Sequence, residues 1–234
     1  MSPPLPLAYR FQPPRQAGLG SAPVLVMLHG IGSHEGDLFQ LAPYLDPRFA
    51  VISLRAPIAW GVGGFAWFEM AWTPEGLVGD PQQARDSLQL LSRFLEQVLP
   101  DGLPDLSNLA LDPGQVYLLG FSQGAIMSLY LALTQPEKLA GVVAMSGRLS
   151  PEILAEAVEP ERMKHLAILA VHGTADAVLP IAFGRQIRDY FAPLPLNFTY
   201  REYEMGHEVA PESLRDIQTW LQNRLDRRDS PMKA

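Results

Sequence analysis

The sequence predicts an open α/β sheet, mostly parallel and flanked by helices, and three observations carry that expectation. Short continuous apolar runs, of the kind buried on both faces of a sheet, alternate with longer stretches of helical period. Each of the main apolar runs closes on glycine or proline, which stops a strand and turns the chain. No segment repeats at a fixed period, so a solenoid is excluded. With 234 residues, 47% of them apolar, the chain can bury a full core as one domain, and no linker divides it.

The elements follow in order. Val24–Gly30 reads as a buried strand, 38–45 as a short helix and Ala50–Pro57 as a second strand. From Trp60 to Gly79 the chain is rich in glycine and aromatics and reads as a long loop near a pocket. Pro81 then opens a helix over 82–98, with Leu88, Leu91, Leu95 and Val98 at helical spacing. Pro100–Gly114 reads as a connection, Gln115–Gly120 as a strand and Ala125–Leu133 as the helix behind it. Leu139–Gly147 and Leu166–Gly173 are further strands. A helix over 181–191, a strand over 197–203 and a helix from Pro211 to about Leu225 complete roughly six strands with interleaved helices. Residues 1–22 read as an extended N-terminal segment and 226–234 as a flexible tail. In such sheets ligands collect beyond the carboxyl ends of the strands, which says where to look for chemistry.

Composition narrows the partners. The formal net charge is −7 and no Lys/Arg run interrupts it, so nucleic acid and anionic membranes are disfavoured. The arginines between Arg224 and Arg228 sit at the end of the last helix, where they complement its dipole. Without cysteine there is no disulfide framework, thiolate nucleophile or Cys-bound metal. The stretch Met1–Arg15 lacks the basic start and unbroken apolar run of a signal peptide, and no apolar run has membrane-spanning length. The expectation is a cytoplasmic protein with no membrane insertion; the oligomeric state stays open, a homodimer included.

The chemistry centres on Gly120-Phe121-Ser122-Gln123-Gly124, which follows an apolar strand and opens a helical stretch. That is the setting of a nucleophile elbow, in which a serine on a strained turn is presented above the sheet. By itself the pentapeptide would arise by chance roughly once in ten chains of this composition; its strand–turn–helix context makes it specific. A serine hydroxyl needs a base, and the base an orienting acid. The fold built on such elbows, the α/β-hydrolase fold, orders them Ser, then Asp or Glu, then His.

Downstream of Ser122 stand His165, His172 and His207. His207 lies in a turn between the last strand and the last helix and is the candidate base. His172 ends a buried strand and reads as a packing residue, and His165 beside Lys164 reads as solvated. Asp176 follows the strand that precedes it and is the candidate acid; its plain alternative is an Asx-turn residue. The oxyanion needs two N–H donors: one from Gln123, the other from the glycine-bearing loop Leu28–Ser33. His29 reads as structural. His29 and His34 belong to no ligand pattern, so no metal is expected, and Gly61–Gly64 lacks the Lys-Ser/Thr of a phosphate loop.

LHGIG (Leu28–Gly32), GFSQG, Ser146-Gly147, HGTADAVLP (His172–Pro180) and Gly206-His207-Glu208 together resemble the phospholipase/carboxylesterase family, over about Val24 to Leu225. That family includes acyl-protein thioesterases and small bacterial carboxylesterases. The resemblance implies Ser122, Asp176 and His207 as the triad, the backbone N–H groups of Ile31 and Gln123 as the oxyanion hole, and Trp67 and Phe68 as lining of the acyl pocket. Two positions depart from the family pattern: Glu69 follows Trp67-Phe68, and Ser33 follows the LHGIG motif, where Asp is frequent in each case. Both touch the pocket rim, hence substrate preference. Only a short segment separates Gly147 from Leu166, so no large cap domain is expected. The expected activity is cofactor-free hydrolysis of short- to medium-chain acyl esters through an acyl-enzyme. A thioester or lysophospholipid substrate is the nearest alternative, and a ligand-binding protein on a hydrolase scaffold a more distant one.

Overall fold

A computed structural model of the chain describes residues 4–16, 20–73, 76–101, 103 and 109–229. Strand β1 (Tyr9–Gln12) precedes β2 (Ala22–Leu28), a 3-10 helix (Leu38–Tyr44) and β3 (Ala50–Leu54). Four short strands follow: β4 (Ile58–Trp60), β5 (Gly64–Ala66), β6 (Met70–Thr73) and β7 (Gly76–Gly79). Then come α1 (Pro81–Asp101), β8 (Leu111–Phe121), α2 (Gln123–Thr134), β9 (Gly141–Met145) and α3 (Pro151–Ala155). The chain continues through β10 (Ala167–Gly173), α4 (Ile181–Phe191), β11 (Asn197–Tyr203) and α5 (Pro211–Asp229).

Seven strands form one sheet in the order β1-β3-β2-β8-β9-β10-β11. Only β1 runs antiparallel, paired to β3 with Phe11 opposite Ile52. This edge strand lies inside the segment read as merely extended; four half-polar residues flanked by prolines carry little strand signal, and pairing with β3 supplies it. From β2 the chain moves outward to β3, then crosses back to place β8 on the other side of β2. The switch point therefore lies between β2 and β8, where open α/β sheets hold their ligands.

Both faces of the sheet are apolar. Val24, Val26 and Leu28 of β2 face one core with α1 and α2, whereas Leu25 and Met27 face another with the 3-10 helix and α5. Each such side chain stabilises the fold by about 1.5–3 kcal/mol relative to exposure. The expected stripe of α1 is buried, with Phe94 added to it. Helix α2 is buried from Gln123 through Leu133, as a helix must be when it packs between the sheet and α1.

The segment read as one long loop is instead two hairpins. β4 pairs with β5 and β6 with β7, and Gly61 and Gly63 at positive φ (64° and 75°) let the first reverse tightly. Its strands are three residues long, too short for an alternation to register. Of the connection expected over Pro100–Gly114, residues 102 and 104–108 lie outside the described residues; α1 runs through Asp101 and β8 begins at Leu111. Helix α5 extends to Asp229, a turn beyond expectation and into the segment read as a tail. Between β9 and β10 the chain carries α3 and a 3-10 turn (Pro160–Met163), and no cap domain. Among the described residues, no helix is long and apolar enough to cross a membrane.

Candidate active site

Ser122 sits between the end of β8 and the start of α2, at the centre of the carboxyl edge of the sheet. Its φ of 53° and ψ of −117° are a conformation that side-chain-bearing residues rarely adopt. The turn is held on both sides: the Ser122 N–H donates to Met145 O (2.9 Å), and Ser122 O accepts from Ala125 and Ile126 N–H (3.0 and 3.1 Å). A Cβ at Gly124 would stand 1.8 Å from Leu28 O, so glycine there lets α2 start against β2. Ser122 itself is 7% exposed and lies at the positive end of α2.

The parallel register of β10 and β11, with Gly173 opposite Tyr203, brings the two following loops side by side. Thr174 N–H then donates to Tyr203 O and Ala175 N–H to Met205 O. Across these loops His207 Nδ1 donates to Asp176 Oδ2 over 2.8 Å. Asp176 Oδ1 accepts from Val178 and Leu179 N–H (2.9 and 2.8 Å), which makes an Asx turn and leaves Oδ2 to His207. Burial alone raises the Asp176 pKa, but the bonds from His207 and the two backbone N–H groups outweigh it and hold the carboxyl below its ordinary range. The His207 ring packs on Phe121, the residue before Ser122, with centroids 4.8 Å apart. His172 also approaches Asp176, at 3.6 Å, yet its Nε2 donates to Leu179 O at 2.7 Å, which is the packing role its buried strand position suggests. His165 bonds Pro136 O, away from this cluster.

The loop after β2 closes over the same turn. A Cβ at Gly30 would lie 3.2 Å from Ser122 Cβ. His29 is fully buried: Nδ1 donates to Gly30 O (2.7 Å) and Nε2 accepts from Ala56 N–H (3.1 Å), while burial lowers its pKa and keeps it neutral. It is structural, as its position implied. Among the described residues no acceptor takes the N–H of Ile31 or of Gln123, the first residue of α2. Hairpin β4–β5 braces the loop through Gly32 N–H to Phe65 O and Phe65 N–H to Ser33 O. Ser33 in turn donates its hydroxyl to Asp37. Among the described residues no three His, Asp or Glu side chains gather as metal ligands.

One turn along α2 from Ser122 opens a small cavity of about 40 Å³, walled by Phe68, Val78, Ile126, Tyr130, Ile153 and Arg148 among others. Ser122 and His207 are not part of its wall; Ile126, four residues after the serine, is. Of the expected lining pair, Phe68 is in the wall and Trp67 is not. Trp67 has no exposed surface, and its indole N–H donates to His29 O at 2.9 Å, so it braces the loops from below. The residues of α2 and α3 in the wall, and the side-chain bonds of Gln123 to Trp67 and Phe68, were not foreseen. Helical spacing places Ile126 above Ser122 and could have found the first; the second depends on hairpin β4–β5 reaching the elbow.

A family match spans residues 16–225, to Phospholipase/Carboxylesterase. The chain belongs to the phospholipase/carboxylesterase family. It is a serine hydrolase of that family, in the α/β-hydrolase fold. Its relatives include acyl-protein thioesterase 1 of Saccharomyces cerevisiae, 29% identical over 94% of this chain and 98% of the relative. Acyl-protein thioesterase 1 of Kluyveromyces lactis is 27% identical over 86% and 92%. Among solved structures, esterase PE8 superposes with a TM-score of 0.74 at 25% identity, covering 93% of this chain and 98% of that one. The Bacillus cereus carboxylesterase gives 0.77 at 20% identity over 93% and 94%, a likeness of fold. Both of these structures share the fold described above.

Proposed function

We propose that this family member is a carboxylic-ester hydrolase for short- to medium-chain acyl esters, with Ser122 as nucleophile, His207 as general base and Asp176 as the orienting acid. The observation that carries the reading is the 2.8 Å bond from His207 Nδ1 to a buried carboxylate, on a ring seated against the residue before the strained serine. With Nδ1 carrying the proton, Nε2 has its lone pair free to take the Ser122 proton. The hydroxyl oxygen attacks the ester carbonyl, and the backbone N–H groups of Ile31 and Gln123 receive the charge that develops on the carbonyl oxygen. The imidazolium then gives its proton to the departing alcohol. Water repeats the sequence on the acyl-enzyme: His207 takes its proton, the tetrahedral intermediate collapses, Ser122 is regenerated and the acid leaves. Phe68 and the cavity beyond Ile126 receive the acyl chain, and no cofactor takes part.

An acyl-thioesterase is the second reading, favoured by the thioesterase relatives at 27% and 29% identity. The chemistry is the same with a thiol as leaving group. The decisive experiment sets p-nitrophenyl esters from acetate to palmitate beside an acyl thioester, with wild type and Ser122→Ala in parallel. Turnover concentrated at short and medium esters and lost in Ser122→Ala supports the esterase; turnover confined to the thioester supports the alternative. Unimpaired Ser122→Ala, or wild type unlabelled by a fluorophosphonate, would sink both.

A further inference from the structure

Gln123 is engaged twice. Its backbone N–H is the first of α2, and its side chain reaches in another direction, into the segment that follows β5. There Oε1 accepts from Trp67 N–H at 2.8 Å and Nε2 donates to Phe68 O at 2.6 Å, both bonds buried. The same segment is held by the Trp67 indole on His29 O, by the Ser87 hydroxyl on Trp67 O, and by Glu69 N–H on Gln83 Oε1. Buried backbone groups require partners, so losing the carboxamide leaves two orphaned groups unless the segment shifts. The side chain that moves with such a shift is Phe68, which walls the cavity together with Ile126, one turn along α2 from Ser122.

We infer that the side chain of Gln123 is a positioning residue that sets Phe68 and thereby the acyl-chain selectivity of the site. It ties the cavity wall to the turn that holds the nucleophile. The inference rests on the ester-hydrolase reading above.

The test compares kcat/KM for p-nitrophenyl octanoate and acetate in wild type, Gln123→Met, Gln123→Glu and Ser87→Ala, between pH 5.5 and 8. In Gln123→Met, which keeps size and loses both bonds, the octanoate-to-acetate ratio falls about tenfold, mainly through KM for octanoate. Ser87→Ala, which loosens the same segment from the side of α1, moves the ratio in the same direction. Gln123→Glu supplies a reversible version. Protonated, its carboxyl accepts from Trp67 and donates to Phe68 as the amide does; ionised, it has no proton for Phe68 O, so its ratio recovers as pH falls. The titratable and charged groups facing this region are His29, whose ring is 5.9 Å from that of Trp67, Glu69 in the segment itself, His207 over Phe121, Asp80 at the start of α1, and Tyr130, Arg148 and Glu152 in the cavity wall. Each ratio is therefore read against wild type at the same pH. A wild-type ratio in Gln123→Met, equal losses on both esters, or a pH-independent ratio in Gln123→Glu would overturn the inference. Wild type inert on both esters, or Ser122→Ala as active as wild type, would instead overturn the ester-hydrolase reading and the inference with it.

Discussion

His207 and Asp176 are joined by a single 2.8 Å bond across two loops, while the other carboxylate oxygen is committed to Val178 and Leu179. The acid therefore cannot rotate away from the ring without breaking two backbone bonds. Asp176→Asn keeps the shape and one acceptor, but an amide N–H facing Nδ1 selects the tautomer with its proton on Nε2. Ester turnover is expected to fall by roughly a thousandfold or more with the circular-dichroism spectrum unchanged. A loss below tenfold would remove Asp176 from the mechanism.

Strain at Ser122 has a consequence for stability. At φ 53° a glycine carries no Cβ penalty, whereas serine and alanine do. Ser122→Gly is expected to exceed Ser122→Ala in urea-unfolding stability by about 1 kcal/mol, although both lack the hydroxyl. Equal stabilities would show that the turn is not strained.

Close approach makes a sharper demand two residues on. Gly124→Ala drives a Cβ to 1.8 Å from Leu28 O, a backbone atom that cannot easily give way, while a Cβ at Gly20 meets nothing within 4 Å. The first substitution is expected to destabilise by more than about 3 kcal/mol and the second by less than about 0.5 kcal/mol. Thermal melts of the two variants against wild type decide it.

The loop carrying Ile31 is anchored by Glu35, whose carboxylate takes two bonds from Arg55 at 2.7 and 2.6 Å. The guanidinium bonds hold the Glu35 pKa at about 2, against an ordinary 4.5. Because the folded value is depressed, the pair contributes its full stability above about pH 4.5 and loses it as pH falls toward 2. Arg55 is 40% exposed, so water screening leaves about 1–2 kcal/mol of that contribution. Urea unfolding of wild type and Glu35→Gln should differ by that amount at pH 7 and converge as pH falls to about 2; a pH-independent difference would refute the assignment.

Much of this arrangement was legible in the sequence because it is local. A buried strand ending in Gly120, a serine and a helix opening at Gln123 are adjacent in the chain, so their order alone identifies the elbow. The boundaries of α4 and β11 follow from hydrophobic period in the same way. The hairpins β4–β5 and β6–β7 were not legible, since strands of three and four residues are too short for an alternation to register, and the bridge from Phe65 to Ser33 forms only in the folded chain.

The sequence by itself determined the fold class, the two-faced burial of the central strands and the candidates Ser122, Asp176 and His207, all of which rest on residue type and order along the chain. Tertiary structure alone decided that β1 completes the sheet edge, that Trp67 is a buried brace while Phe68 walls the cavity, and that Gln123 joins that wall to the elbow. The physical reason is the same in each case. Burial and hydrogen-bond partnership of these groups depend on residues tens of positions away, and a one-dimensional pattern holds no record of which distant backbone groups will be left needing a partner.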